Sequence, residues 1–177
     1  MKVLRLPFKR GALIWEPDRG EALIPGRSIF ATNLSAVHKS RRGQVIDEFD
    51  FGSGLVTTAG VVYLAADFAS GASDINAFNY HHTGIGTVAA AIGDTTLGNV
   101  TGVPARVTGT QSTPGSTNIY QTQATVSYTS GLAITEWGLF SASSAGTMWD
   151  RKVFTAINVI NGDSIQFTYQ LTCTAGG

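Results

Sequence analysis

The stretch "AINVINGDSIQFTYQLTCT", Ala156–Thr174, decides the fold. Its last eleven residues alternate strictly. Ile165, Phe167, Tyr169 and Leu171 fall on one side, and Ser164, Gln166, Thr168, Gln170 and Thr172 on the other. A period of two over that length is the pattern of an antiparallel strand with one buried and one wet face. Asn161-Gly162-Asp163 immediately before it is a tight-turn signal. The same alternation appears upstream in "IYQTQATVSYTS", where Tyr120, Thr122, Ala124, Val126 and Tyr128 oppose Gln121, Gln123, Thr125 and Ser127. Between the two lie "LAITEWGLF", a small-residue loop over Ser141–Thr147, and "MWDRKVF". Several strands punctuated by turns predict an all-β protein, an antiparallel β-sandwich or jelly roll.

Composition agrees. Hydrophobic residues make up 43% and charged residues only 14% of the 177 residues, so much of the surface must be Ser, Thr, Asn, Gln and Gly. Cys173 is the single cysteine, which excludes an intrachain disulfide and a cysteine zinc cluster. It reads as a small filler near a strand end. "MKVLRLPFKRGALIW" alternates charge with apolar residues, so a secretory signal is not expected. No stretch is long and apolar enough for a membrane helix. Without a signal peptide, the glycosylation-like triplets at Asn33 and Asn99 read as chance matches.

The net charge of zero hides an imbalance. Residues 1–42 carry nine basic side chains (Lys2, Arg5, Lys9, Arg10, Arg19, Arg27, Lys39, Arg41 and Arg42) against three acidic ones, while residues 43–177 reverse the ratio. Segment 1–44 is also poor in periodicity and rich in Pro, Gly and charge. Its apolar islands, Ala12–Trp15 and Ala22–Ile24, are too short for a core. We expect an extended basic arm over 1–44 and a β-sandwich body over 45–177. The basic residues of the arm, with Trp15, are the expected partner contacts. In the body, 45–70 reads as strand, turn, strand, with Leu55–Thr58 and Gly60–Ala66 in the second arm. Segment 70–100 reads as a long connection with one helical turn over Thr87–Ile92.

Tests for chemistry give little. "GIGTVA", Gly84–Ala89, fits a loose dinucleotide pattern but lacks the strand before, the helix after and the acid about twenty residues on. Its glycines read as room for a loop to pass close to neighbouring backbone. His81-His82 is the obvious acid–base or metal candidate. Adjacent residues on a strand point to opposite faces, so the two do not converge on one ion. Both are expected to be structural, and no cofactor or metal is expected. Glu136 and Asp150 fall on the two arms of one hairpin and are candidates for a glycosidase pair. Arg151 and Lys152 beside them make weak surface ion pairs the simpler expectation, with no enzyme activity.

"ITEWGLFSASSAGTMWDRKVFTAINVINGDSIQFTYQLT", with "FNYHHTGIGTVAAAIGDTTL" upstream, resembles tailed-bacteriophage virion proteins. In that family an I-T-E-[apolar]-G-L-F strand leads through a small-residue loop to an aromatic strand with Arg. A closing strand opened by N-G-D-S follows. The resemblance covers about 100 residues from position 75 onward and leaves the segment before residue 45 unplaced. It implies a non-enzymatic virion structural protein, made in the host cytoplasm and most simply a capsid decoration or cement protein. Its partners would be the major capsid protein and copies of itself, with no membrane and no specific nucleic acid. The alternative is a tail, baseplate or fibre module that contacts other tail proteins or host glycans. Asn79, Tyr80 and Trp149 would then be candidate sugar contacts.

Overall fold

The computed structural model describes residues 14–15, 22–23, 29–70, 74–115 and 118–174. In chain order the elements begin with β1 (Ile14–Trp15), β2 (Ala22–Leu23), β3 (Ile29–Lys39), β4 (Val45–Gly52) and β5 (Leu55–Val56). The helix α1 (Thr58–Ser70) and a 3-10 turn (Ile75–Ala77) follow, then β6 (Tyr80–Gly84), β7 (Val107–Thr108) and β8 (Thr110–Ser112). β9 (Ile119–Ser127), β10 (Leu132–Phe140), β11 (Met148–Val159) and β12 (Ser164–Thr174) close the chain.

Two five-stranded antiparallel sheets form a sandwich, ordered β5-β11-β10-β6-β7 and β4-β3-β12-β9-β8. The alternation of β12 is realised as expected: Ile165, Phe167 and Tyr169 are fully buried, facing Ile134, Trp137 and Leu139 of the opposite sheet within one core. The Asn161-Gly162-Asp163 turn forms with Gly162 at φ 94°, a left-handed conformation that favours glycine. The Asp163 carboxylate accepts from the Ile160 amide and meets His38 Nε2 at 3.1 Å.

Three expectations need correction. The body does not begin at residue 45. β3 lies between β4 and β12 and pairs with β12 along its whole length, from Ile29↔Thr174 to Lys39↔Ser164. Leu34 is fully buried and Ala36 nearly so. Gly60–Ala66 is not strand but part of α1. Thr57 caps that helix, its Oγ1 accepting from the Gly60 amide at 3.0 Å, and Ala59, Ala65 and Ala66 favour helix over the β-branched Val61-Val62. Residues 87–92 form no helical turn. They belong to an irregular loop held by the Ala91–Asp94 turn and by the Ile92 carbonyl, which accepts from Thr58.

Candidate functional site

The two hairpin carboxylates do not share a cleft. In the β10–β11 register Glu136 pairs with Val153 and Leu139 with Asp150, so the acids lie on opposite faces of the sheet. Asp150 points inward and Glu136 outward.

Glu136 is fully buried even so, because the loop after β6 folds over that face. Its Oε1 accepts from the amides of Gly86 (2.9 Å) and Asn99 (2.8 Å). Its Oε2 accepts from the amide of Gly98 (2.9 Å) and from Arg151 Nε (3.0 Å) and Nη2 (2.7 Å). Arg151 Nη1 continues to Asp94 Oδ2 at 2.6 Å, and Nη2 also donates to the Val88 carbonyl. The weak surface pair expected from the sequence is a buried clasp that holds loop 85–99 to the sheet. Burial alone pushes the Glu136 carboxyl up, but the Gly98 and Asn99 amides and Arg151 outweigh it and hold it below the usual range. The glycines of "GIGTVA" find their reason here: a Cβ on Gly84 or Gly86 would collide with Glu136 Oε1.

His81 is fully buried in the core. Its Nδ1 accepts from Trp137 Nε1 at 3.2 Å, which leaves Nε2 carrying the proton toward Thr122 Oγ1 at 3.1 Å. Burial lowers its pKa to about 3. A neutral ring with both nitrogens engaged and no solvent path is a cross-link between the sheets. His82 lies on the opposite face, half-buried beside Phe140, and burial and Arg106 lower its pKa. The Arg106 guanidinium sits 3.5 Å over the Phe140 ring and donates to the carbonyls of Ala142 and Ala145, pinning the loop between β10 and β11.

Asp150 completes a third buried network. Trp149 Nε1 donates to Tyr169 Oη at 2.8 Å, and Tyr169 donates to Asp150 Oδ2 at 3.1 Å. Burial raises the Asp150 carboxyl to about 6, against the pull of the Tyr169 hydroxyl. Trp149 is 3% exposed and therefore unavailable to a sugar. Tyr80 packs against the Leu97, Phe140 and Met148 cluster, and the Asn79 carbonyl accepts from the Gly109 amide. These three residues form no exposed glycan platform. Among the described residues, no group of three His, Cys, Asp or Glu side chains could hold a metal ion, and no helix is long and apolar enough to cross a membrane.

Of the basic residues assigned to the arm, Lys39, Arg41 and Arg42 are described. Lys39 ends β3, while Arg41 and Arg42 sit exposed in the β3–β4 turn. Trp15 lies in β1, paired with Ala22. Lys2, Arg5, Lys9, Arg10, Arg19 and Arg27 fall outside the described residues. The chain enters β3 at Ile29, and eleven residues of strand at about 3.3 Å each put that point some 30–35 Å from Lys39. At the Lys39 end, Val45, Ile46 and Ile160 are more than half exposed, and the Arg41 stem lies over Gly162. The other end holds an apolar cavity of about 290 Å³ between α1 and the sandwich, lined by Leu64, Phe68, Phe78, Trp149, Leu171 and Cys173 among others. Sequence reading missed both ends. The signal for the first was the apolar pair Val45-Ile46 directly after a basic turn. The second has no contiguous signal, since its walls come from six separate segments.

No protein-family model matches the chain, and neither the curated proteins nor the solved structures give a significant match.

Proposed function

We propose that this chain is a non-enzymatic structural protein of a bacteriophage virion, a capsid decoration or cement module that contacts the major capsid protein and copies of itself. The observation that carries the reading is the end of the sandwich where Arg41 and Arg42 flank the exposed apolar side chains of Val45, Ile46 and Ile160. Two arginines on one side of these apolar groups and the exposed carboxylates of Asp47 and Glu48 on the other fit a protein surface of complementary charge, with charge setting orientation and apolar burial supplying affinity. The chemistry-bearing side chains of the body support the non-enzymatic part. Glu136, Arg151, His81 and Asp150 are all buried, and each is held by internal hydrogen bonds: Glu136 and Arg151 to backbone and to each other, His81 to Trp137 and Thr122, and Asp150 to Tyr169. The resemblance of the segment after residue 75 to virion proteins supplies the setting, and the upstream basic residues would add a second contact. Many copies on one shell make individually weak contacts effective.

The test is fractionation of particles. Decoration predicts co-purification with empty shells at high copy number, and loss of retention when Arg41→Glu and Arg42→Glu are combined. Recovery with isolated tails at a few copies would replace this reading with a tail or baseplate module. Recovery with neither would end the virion reading.

A further inference from the structure

The cavity between α1 and the sandwich has a volume of about 290 Å³. Protein interiors are close-packed, and voids larger than a water molecule are few, so a space of this size stands out. Its floor is made by Phe78, Leu139 and Trp149, all buried. The Phe78 ring lies tilted against Trp149, with 5.4 Å between centroids. Leu64 of α1 and Leu171 of β12 form facing sides, both half-buried. Phe68, Asn76 and Cys173 are exposed and frame the mouth.

The polar groups of the walls are engaged elsewhere. Trp149 Nε1 donates to Tyr169 Oη at 2.8 Å. Tyr120, another wall residue, donates its hydroxyl to the Phe78 carbonyl at 2.7 Å and accepts from Gln111 Nε2 at 2.9 Å. Both aromatic residues therefore offer the cavity ring surface and no hydrogen bond. The Cys173 amide donates to the Asn118 carbonyl, and the Cys173 carbonyl accepts from Asn118 Nδ2. Among the described residues, none that lines the cavity is charged. The Asn76 side chain and the Cys173 thiol belong to the mouth.

We infer that this cavity is a binding site for a small, neutral, hydrophobic molecule, no larger than a fused pair of rings or a short alkyl chain. Apolar cavities of about 150 Å³ stay dry and take up benzene, so roughly twice that volume accommodates a single ring with room to spare. Walls without hydrogen-bonding groups hold water poorly and disfavour any ligand that must bring a charge inside. The aromatic floor adds ring-on-ring contact, which favours an aromatic ligand over an aliphatic one of equal size. The inference concerns the chain by itself and stands or falls separately from the virion reading.

The experiment titrates toluene into the full-length protein and follows the backbone amides by NMR, with benzoate as the charged counterpart. Toluene should give saturable shifts confined to the walls: Leu64, residues 75–78, Tyr120, Leu139, Trp149 and residues 171–173. Benzoate should bind about tenfold more weakly or worse, because burying a carboxylate without a partner is costly. Leu171→Trp and Leu64→Trp put an indole into the space from opposite sides, and each should abolish the toluene shifts while keeping a cooperative melt. Val62→Ser should leave them unchanged, because Val62 is exposed on the same helix but does not line the cavity. Shifts in the native protein that fail to saturate, or that centre on the exposed side of α1, would overturn the inference, and this readout does not depend on any variant folding. Equal binding of benzoate, or loss of binding on Val62→Ser, would overturn it too.

Discussion

Glu136→Gln tests whether the β10–β11 hairpin is scaffold. The carboxylate receives five hydrogen bonds, from the amides of Gly86, Gly98 and Asn99 and from two nitrogens of Arg151. A glutamine keeps the shape but turns one oxygen into an NH2 group that faces donors whichever way it flips. At least two buried donors lose their acceptor, at about 1–3 kcal/mol each. Arg151 retains only Asp94 as a charged partner, and breaking a buried ion pair from one side costs about 3–5 kcal/mol. The two descriptions overlap, so about 3–5 kcal/mol is the expected total. For a chain of this size each kcal/mol moves the melting point by about 2–4 °C, giving a fall of about 6–20 °C at pH 7. The depressed folded pKa of Glu136 means that its contribution is present above the ordinary carboxylate range and is lost as pH falls through the lower folded value. The penalty should therefore shrink in strong acid. Arg151→Gln should cost less, because the carboxylate keeps its three amides. The assays are a thermal melt by circular dichroism and amide exchange of loop 85–99. A melting point lowered by less than about 2 °C, with unchanged exchange at Gly86, Gly98 and Asn99, would refute the clasp.

The other predictions concern the core. Trp137 is fully buried, so Trp137→Ala should cost about 3–5 kcal/mol in a denaturant titration. His81→Asn should cost about 1–3 kcal/mol by stranding Trp137 Nε1 or Thr122, whereas His82→Asn at its half-buried site should stay within about 1 kcal/mol; equal effects in paired melts would show that His81 is not the cross-link. Asp150 holds its proton to about pH 6 in the folded state. The stability it contributes is therefore present at acid pH and lost as pH rises through about 6, and Asp150→Asn should gain about 2–3 kcal/mol at pH 7.5 and flatten the profile from pH 4.5 upward. Removing residues 1–44 should abolish the cooperative melt, because β3 is an interior strand; a truncated chain that melts like the full one would contradict that topology.

The readable strands share one property: their buried positions are large and apolar and their wet positions polar. β12 meets it throughout, and β9 meets it through Val126 and the flanking Tyr120 and Tyr128 although Thr122 and Ala124 are also inward; the sandwich followed from these two. β3 does not. Its inward positions are Thr32, Leu34, Ala36 and His38, and its outward ones include Val37. Buried Thr and His stand where hydrophobic residues are expected, and the basic turn beyond disguised the strand as the end of an arm. α1 failed for the converse reason. Its outer face is as apolar as its inner one, so no helical period emerges and Val61-Val62 reads as strand.

The clasp was legible only in half. Glu136 and Arg151 stand on paired strands, and their opposite charges announce a partnership. Whether such a pair is a weak surface contact or a structural anchor depends on what covers it. Here the cover is a loop that contributes backbone amides, and an amide leaves no mark on the identity of its residue. The marks it does leave are glycines: Gly84, Gly86 and Gly98 all lie against the Glu136–Arg151 pair, where a Cβ at 84 or 86 would strike the carboxylate and one at 98 would crowd Arg151. A glycine pattern resembling a phosphate-binding loop thus serves an internal anion, the carboxylate of Glu136. The physical requirement is common to both, since close approach of backbone N–H groups to negative charge leaves no room for side chains. Sequence alone shows that requirement and not which anion meets it.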